Sequence, residues 1–509
     1  MHPPSYGPLV HKLVALLVLA TFTAGSSLAL AQSEMDVPEL GEPAGAILGK
    51  TDEFDYGLMV ERTERAEGQI LEDPETQEYI QSLGTRLAAQ SQMGGANFHY
   101  YVINQSDINA FSTPYFIFCN YGTILAMDNE SELAAILAHE TAHATQHHIA
   151  REIMAQSHRT LAAAAEMLAA VLIGAVGGGA PAIEGGIAAA QGLAAANQLK
   201  FSRTVEEEAD RVGMQYLSEA GFDPEAMPDA FEILEQRYGY EEGMVPAFLQ
   251  DHPVTSDRIA YSRARAAELP RPTNLDSSIG FLLIRARLRA ITAAQNFDVI
   301  GYFRSRLESR TSTLPDTTLA DAMLADEYGL AITYLERDQP KKAVQLLKPL
   351  VAQNPSVTLL LTALGQAQIA AGETHVGLAT FAEGERLFPR NVPLTVRYAE
   401  ALIKVGQPKH AHDLLNDLFN VFEPTPSQIR LIARAASEAG DKGDAYDYMG
   451  EYYISNGNLP LASEQLVRAL RTPNLNDVQR KRFAARLKEV RDVIAEVRRE
   501  NHGKLPSGG

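Results

Sequence analysis

Four positions in the C-terminal half of the chain, Asp338, Gly372, Gly406 and Gly440, follow one another at 34-residue intervals. Ala343, Gly377, Ala411 and Ala445 keep the same step, as do Pro355 and Pro389, with Pro424 one residue late. A period of this length marks a supersecondary unit that cannot bury its apolar face alone and must stack on copies of itself. Small residues at fixed places let neighbouring helices approach closely, and a proline at the end of each unit stops its second helix.

The pattern resembles the tetratricopeptide repeat, a helix–turn–helix pair. The match covers residues 319–470, and helices over 277–307 extend the stack. A last helix over 478–499 sets Leu487, Val490, Ile494 and Val497 on one seam with charges elsewhere, as a capping helix requires. Solenoids of this kind offer a concave face to peptides or proteins; the competing reading is a structural spacer.

At 509 residues the chain is too long for one core, so a second domain precedes the repeats. A hydrophobic share of 46% and a charged share of 21% are those of a globular protein. Residues 1–31 read as a cleaved secretory signal: Lys12, an apolar run over 13–22, and small residues before a cut after Ala31. An uncleaved anchor is the alternative. Residues 32–50, with Pro38, Gly41, Pro43 and Gly45, read as a linker. The lone Cys119 has no internal disulfide partner, and a buried apolar place in Phe116-Ile117-Phe118-Cys119 suits it, with pairing between molecules as the other possibility. The formal charge of −20, which becomes −21 if Lys12 leaves with the signal, disfavours nucleic acid and anionic headgroups. At most peripheral membrane contact is expected.

Within 51–270, helical patterning runs from about 52 to 90. Residues 98–103 and 115–119 read as strands, the second ended by Asn120-Tyr121-Gly122. Asn129 and Ser131 are candidate caps for the helix that follows. Alanine and glycine then dominate 161–199. That segment reads either as two helices packed inside the domain or as an apolar flap near a cleft; its glycines argue against a membrane helix.

His139-Glu140-Thr141-Ala142-His143 carries the chemistry. On a helix, residues four apart differ by about 40° around the axis, so both imidazoles aim at one point. Glu140 is offset enough to miss the metal yet reach a metal-bound water as general base. His147 continues the spacing from His143, but Ala144 stands where that pair would need its base. His147 and His148 are therefore read as surface residues or as residues behind the ligands.

A catalytic zinc needs a third protein ligand and an open position. Val205, Ala209, Val212 and Tyr216 make an apolar stripe that buries the helix downstream of Ser202. Glu206 and Asp210 lie along its edge, facing inward, while Glu207 faces solvent and Glu208 lies further from the core. Glu206 is the expected ligand and Asp210 an acceptor for a ligand histidine. A solvated acidic helix start is the competing reading.

The pairing of His-Glu-x-x-His with a downstream Ser-Arg-x-x-Glu-x-x-Ala-Asp resembles the M48 family of gluzincin peptidases. With a signal and a repeat tail, nearly the whole mature chain is similar to periplasmic members that act on outer-membrane β-barrel proteins together with the barrel-assembly machinery. The resemblance implies a mainly α fold with a small β-sheet: a gluzincin-type zinc peptidase domain over 51–270, then an all-α tetratricopeptide solenoid over 271–509. It implies one Zn2+ per subunit held by His139, His143 and Glu206, with Glu140 as the catalytic glutamate. Asp251-His252-Pro253-Val254-Thr255-Ser256-Asp257-Arg258 is similar to a family segment whose histidine can fill the fourth zinc position. His252 would then hold the enzyme latent, and Arg258 would be the cation that stabilises the anionic intermediate. Read from the residues alone, His252 serves equally as a helix-capping surface residue.

Asn109-Ala110-Phe111 matches the family's edge strand above the metal, but Pro114-Tyr115-Phe116 stands where relatives have a Pro-Gly-Gly turn. An edge strand there would receive an extended substrate by strand addition. The expected function is a periplasmic zinc endopeptidase that removes misfolded or stalled proteins and also serves as a chaperone in outer-membrane protein assembly. The alternative is a non-proteolytic scaffold whose repeats bind proteins while its zinc site stays latent.

Overall fold

The computed structural model describes residues 49–151, 202–238, 248, 252–272, 278–294, 296–309 and 318–500. The expected signal peptide, residues 32–48 of the linker and the segment 161–199 lie outside the described residues.

Among the described residues two helices come first, α1 (Lys50–Ala66) and α2 (Pro74–Ala88). The sequence pattern reads as continuous helix across them, but the chain breaks where Gly68 takes φ 71 and Ile70 bridges to Ile103. α2 restarts with Pro74 in its first turn and the Asp73 side chain accepting from Thr76 N at 3.0 Å, the two standard devices for a helix start.

Three strands follow: β1 (His99–Ile103), β2 (Ala110–Thr113) and β3 (Phe116–Asn120). The sheet order is β1-β3-β2, with β1 parallel and β2 antiparallel to the central strand. Every side chain of β3 is buried, Cys119 among them, and burial pushes that thiol's pKa up to about 12. Tyr101 and Phe111 flank Phe118 from opposite neighbours, with ring centroids 5.7 and 4.7 Å away. β2 and β3 are joined through Pro114 and Tyr115, and Tyr115 sits at φ 66. Glycine is the usual solution there. Here the tyrosine ring packs on Phe54 and Phe98 at 5.8 and 5.7 Å, contacts that offset the backbone strain.

α3 (Tyr121–Ala126) and α4 (Glu130–Thr145) come next, and α4 is buried on nearly every face. α5 (Arg203–Glu219) lies against α4, with α6 (Ala226–Tyr238) and α7 (Ser256–Ala266) beside them. Among the described residues the chain continues with α8 (Ile279–Ile291), α9 (Val299–Ser309), α10 (Leu319–Glu336), α11 (Pro340–Gln353), α12 (Thr358–Ala370), α13 (Thr374–Leu387), α14 (Val392–Lys404), α15 (Pro408–Phe419), α16 (Pro426–Glu438), α17 (Lys442–Ser455), α18 (Leu459–Leu470) and α19 (Asp477–Glu500), and α8 and α9 both pack on α10.

The 34-residue period has a backbone cause. Asp338, Gly372, Gly406 and Gly440 each follow the end of a first helix and sit at φ 53, 83, 81 and 89. At each turn the next N–H reaches back to close the helix, as Glu373 N does to Gln368 O at 2.8 Å and Gln407 N to Leu402 O at 2.8 Å. The companion small residues Ala343, Gly377, Ala411 and Ala445 are all buried on the second helices.

The solenoid curls back onto the first helices. Arg287 of α8 donates to Asp73 at 2.6 and 2.8 Å and to Glu75 at 2.9 Å. Arg397 of α14 reaches the same two carboxylates at 3.1 and 2.8 Å. Arg62 of α1 caps the end of α17, donating to Ser455 O at 2.7 Å and Ile454 O at 3.0 Å. Asp73, Glu75 and Arg287 are buried, and each carboxylate finds a guanidinium partner, as buried charge demands. Among the described residues no helix is long and apolar enough to cross a membrane.

Candidate metal centre

Asn129 caps α4, accepting from Glu132 N at 3.0 Å, and so sets the phase of the helix that bears the motif. His139 and His143 are 0% and 2% exposed, and their Nε2 atoms lie 3.0 Å apart. Ser202 caps α5 by accepting from Val205 N, and one turn further in Glu206 and Asp210 face α4, both buried. The two helices approach at Gly213, where a Cβ would lie 2.9 Å from Ala138 O and 3.0 Å from His139 N. Thr255 caps α7 by accepting from Arg258 N at 3.2 Å, which fixes Arg258 in its first turn.

One ligand atom each from His139, His143, Glu206 and His252 falls within 4.8 Å of the others. Glu206 Oε1 lies 3.5 Å from His143 Nε2 and 2.9 Å from His252 Nδ1. The His252 ring stacks on Phe248 at 5.0 Å, and its Nε2 stands 3.7 Å from Glu140 Oε1. His139 is walled on its outer side by Phe231 and Phe248, at 6.3 and 6.4 Å between centroids.

The electrostatics suit a metal. Burial, reinforced by the neighbouring histidines, pushes the His143 pKa well down, so this ring stays neutral, the form that ligates. Burial would raise the Glu206 pKa, but His252, Arg258 and His139 outweigh it and hold the carboxyl below its usual range. Burial opposes charge on His252 too, and Glu206 and Glu140 overcome it, raising that imidazole to about 9. Glu140 Oε1 is buried without a hydrogen-bond partner, whereas Glu206 Oε2 has the Arg258 guanidinium 2.8 Å away. Three imidazoles and one carboxylate converging in a buried site match the donor set of a zinc centre.

His139 Nδ1 lies 3.0 Å from Asp210 Oδ1, off the ideal N–H line. Arg258 grips Asp210 with Nε at 2.5 Å and Nη2 at 2.7 Å, while Nη1 donates to Pro253 O at 3.1 Å and stands 2.8 Å from Glu206 Oε2. Its guanidinium also covers the Phe231 ring at 4.7 Å. Desolvation would raise the Asp210 pKa, yet Arg258 keeps that carboxyl below its usual range.

All seven residues singled out in the sequence thus share one place. Arg258 differs in posture from the expectation: its donors turn into Asp210, Glu206 and a carbonyl rather than outward, because two buried carboxylates compete for them. Sequence reasoning missed Ser112, whose hydroxyl donates to Glu140 Oε2 at 3.0 Å from β2. A hydroxyl side chain in the short edge strand Ala110–Thr113 was its only signal. It also missed Gly213, for which a glycine within a helix opposite the motif was the available sign.

A profile for Peptidase family M48 matches residues 74–266, which hold every one of these side chains. The chain is 31% identical over 470 residues to a putative beta-barrel assembly-enhancing protease of Vibrio cholerae, covering 91% of this chain and 94% of that one. It is 28% identical over 494 residues to the beta-barrel assembly-enhancing protease of Escherichia coli, covering 95% and 97%. A mitochondrial metalloendopeptidase of Schizosaccharomyces pombe shares 31% identity over 184 residues, 36% of this chain and half of its own length. The two bacterial matches, over 91% and 95% of this chain, take in the helical repeats as well as the buried ligand cluster. The chain belongs to peptidase family M48, as a metalloendopeptidase with a helical-repeat tail.

Proposed function

We propose that the protein is a periplasmic zinc endopeptidase that cleaves unfolded or misassembled proteins and serves, through its repeats, as a chaperone in outer-membrane β-barrel assembly. The observation that carries the peptidase reading is the convergence of His139, His143 and Glu206 beside Glu140 in one buried cluster. The leader pattern in residues 1–31 supports export, and the names of the relatives matched over nearly their whole length, beta-barrel assembly-enhancing proteases, support a role in β-barrel assembly.

A zinc ion held by His139, His143 and Glu206 would supply Lewis-acid polarisation of the scissile carbonyl and a water acidic near neutral pH. Glu140 takes the water's proton and passes it to the leaving amine. The Ser112 hydroxyl holds Glu140 Oε2 while Oε1 stays available. β2 lies at the end of the sheet, and an extended substrate segment adds to it as a further strand. Asp210 and Arg258 keep His139 and Glu206 in place. An oxyanion role for Arg258 would require it to release one of these partners. His252 sits where substrate must enter and moves aside when the site opens.

Glu140→Gln keeps the side chain's size and one of its oxygens and removes the base. Cleavage of an unfolded protein should fall by at least about 10²-fold while zinc content stays at wild-type level; undiminished proteolysis would overturn the peptidase reading. The placement of His252 between Glu206 and Glu140 favours a second reading, a chaperone with a closed site. Rescue of outer-membrane barrel assembly by Glu140→Gln in cells lacking the protein would favour it.

A further inference from the structure

The chain bends just after the motif. α4 ends at Thr145, and His147 takes φ 54, so His148 leaves the helical spacing and folds under His143. There it is 1% exposed, with Nδ1 at 2.9 Å from His143 Nδ1 and Nε2 at 3.3 Å from Glu208 Oε2. Arg151 Nη1 donates to the same Glu208 oxygen at 2.9 Å.

We propose that His148 is a positioning residue for the metal ligand His143, through a directed relay from His143 to His148 to Glu208, anchored by Arg151. The direction follows from valence. The face of His143 turned to Glu206 and His139 is Nε2, so a neutral, ligating His143 carries its proton on Nδ1. That N–H can donate only to an unprotonated His148 Nδ1, which places the His148 proton on Nε2, aimed at Glu208. A carboxylate anchored by a guanidinium is the acceptor that fixes such a tautomer and raises the basicity of the ligand ahead of it. α5 therefore serves both histidines: Asp210 stands behind His139, and Glu208, two residues earlier, ends the relay behind His143. Glu208 lies further from the core than Glu206 in the sequence pattern, and the bend at His147 gives it this partner.

The relay rests on the zinc reading above, and the test separates the two. Affinity of the purified full chain for Zn2+ alone is measured by competition with a chromophoric chelator, alongside the melting temperature of the metal-free protein. His148→Ala should weaken zinc binding about 10–100-fold. His148→Asn, whose Oδ1 can still accept from His143, should recover most of that loss. Glu208→Gln lies at the rim and threatens folding least; it should weaken binding several-fold in the wild-type background and not at all on top of His148→Ala. A merely structural His148 would lower the melting temperature and leave the dissociation constant where it was. Unchanged zinc affinity in folded His148→Ala, or an equal effect of Glu208→Gln with and without His148, overturns the relay. If instead the wild type takes up no stoichiometric zinc, or binds it equally well after joint replacement of His139 and His143 by alanine, the metal centre itself is refuted.

Discussion

The Arg258 guanidinium meets the Asp210 carboxylate edge on, with Nε 2.5 Å from Oδ2 and Nη2 2.7 Å from Oδ1, and both side chains are almost wholly buried. Removing one member of such a pair strands the other in low dielectric, a loss of about 3–5 kcal/mol. It would also free Glu206, which Arg258 Nη1 approaches at 2.8 Å. Arg258→Ala should therefore lose stability of that order together with about 10–100-fold in zinc affinity. Arg258→Lys keeps the charge but not the planar fork, so it should rescue neither fully. Urea unfolding and zinc titration read the two effects, and a lysine variant that matches wild type in both would show that charge alone suffices.

His252 is held by a 2.9 Å hydrogen bond to Glu206 and by its stack on Phe248. A hydrogen bond to a charged group contributes about 1.5–3 kcal/mol, equivalent to about 10–100-fold in the population of an open site. His252→Ala should raise the cleavage rate of an unfolded substrate within that range, with zinc retained by His139, His143 and Glu206. A rate that stays level or drops while zinc remains bound would mean that His252 does not restrain the site.

What could be read in the sequence was what a single element dictates. The repeat was visible because a left-handed turn residue recurs at Gly372, Gly406 and Gly440, a demand of the local backbone. His139, Glu140 and His143 share one helix, and Glu206 and Asp210 share another, so helical geometry sufficed to group each set. For His148 the choice between a surface place and one behind the ligands stayed open because His147 breaks the spacing, and Ser112 escaped because the face of β2 is set by its pairing with β3. The posture of Arg258 depends on Asp210, 48 residues earlier, and no local rule supplies that.

Glu132, in the first turn of α4, is 5% exposed, and burial raises its pKa to about 7, with Asp128 and Asp229 adding to the shift against hydrogen bonds from Asp128 N and Asn129. Its folded pKa lies above the ordinary 4.5. The stability it contributes is thus full below about pH 4.5 and is lost as pH climbs through about 7, where the folded state must carry a buried charge. Glu132→Gln removes that titration. Its stability relative to wild type should improve between pH 5 and pH 8 by on the order of 1–3 kcal/mol. Urea unfolding at the two pH values measures the change, and a constant difference between variant and wild type would show that Glu132 stays ionised throughout.

Gly213 governs how near α5 comes to α4. A methyl group there would stand 2.9 Å from Ala138 O and 3.0 Å from both Ala138 C and His139 N, all backbone atoms that cannot rotate away. Two effects of Gly213→Ala then oppose each other. Alanine favours a helix interior over glycine by about 1 kcal/mol, whereas overpacking a close contact costs about 1–3 kcal/mol. The net change in stability should be small, because the helices can separate by a few tenths of an ångström. The metal cluster cannot absorb the same shift. Asp210 precedes Gly213 by less than one turn and Glu206 by two, and both must keep their distances to histidines on α4. Gly213→Ala is expected to melt within a few degrees of wild type yet bind zinc at least about tenfold more weakly, since ligand sets tolerate displacements of only about 0.2 Å. If affinity and melting temperature both stay at wild-type values, the approach of the two helices is set by the metal cluster and not by the glycine.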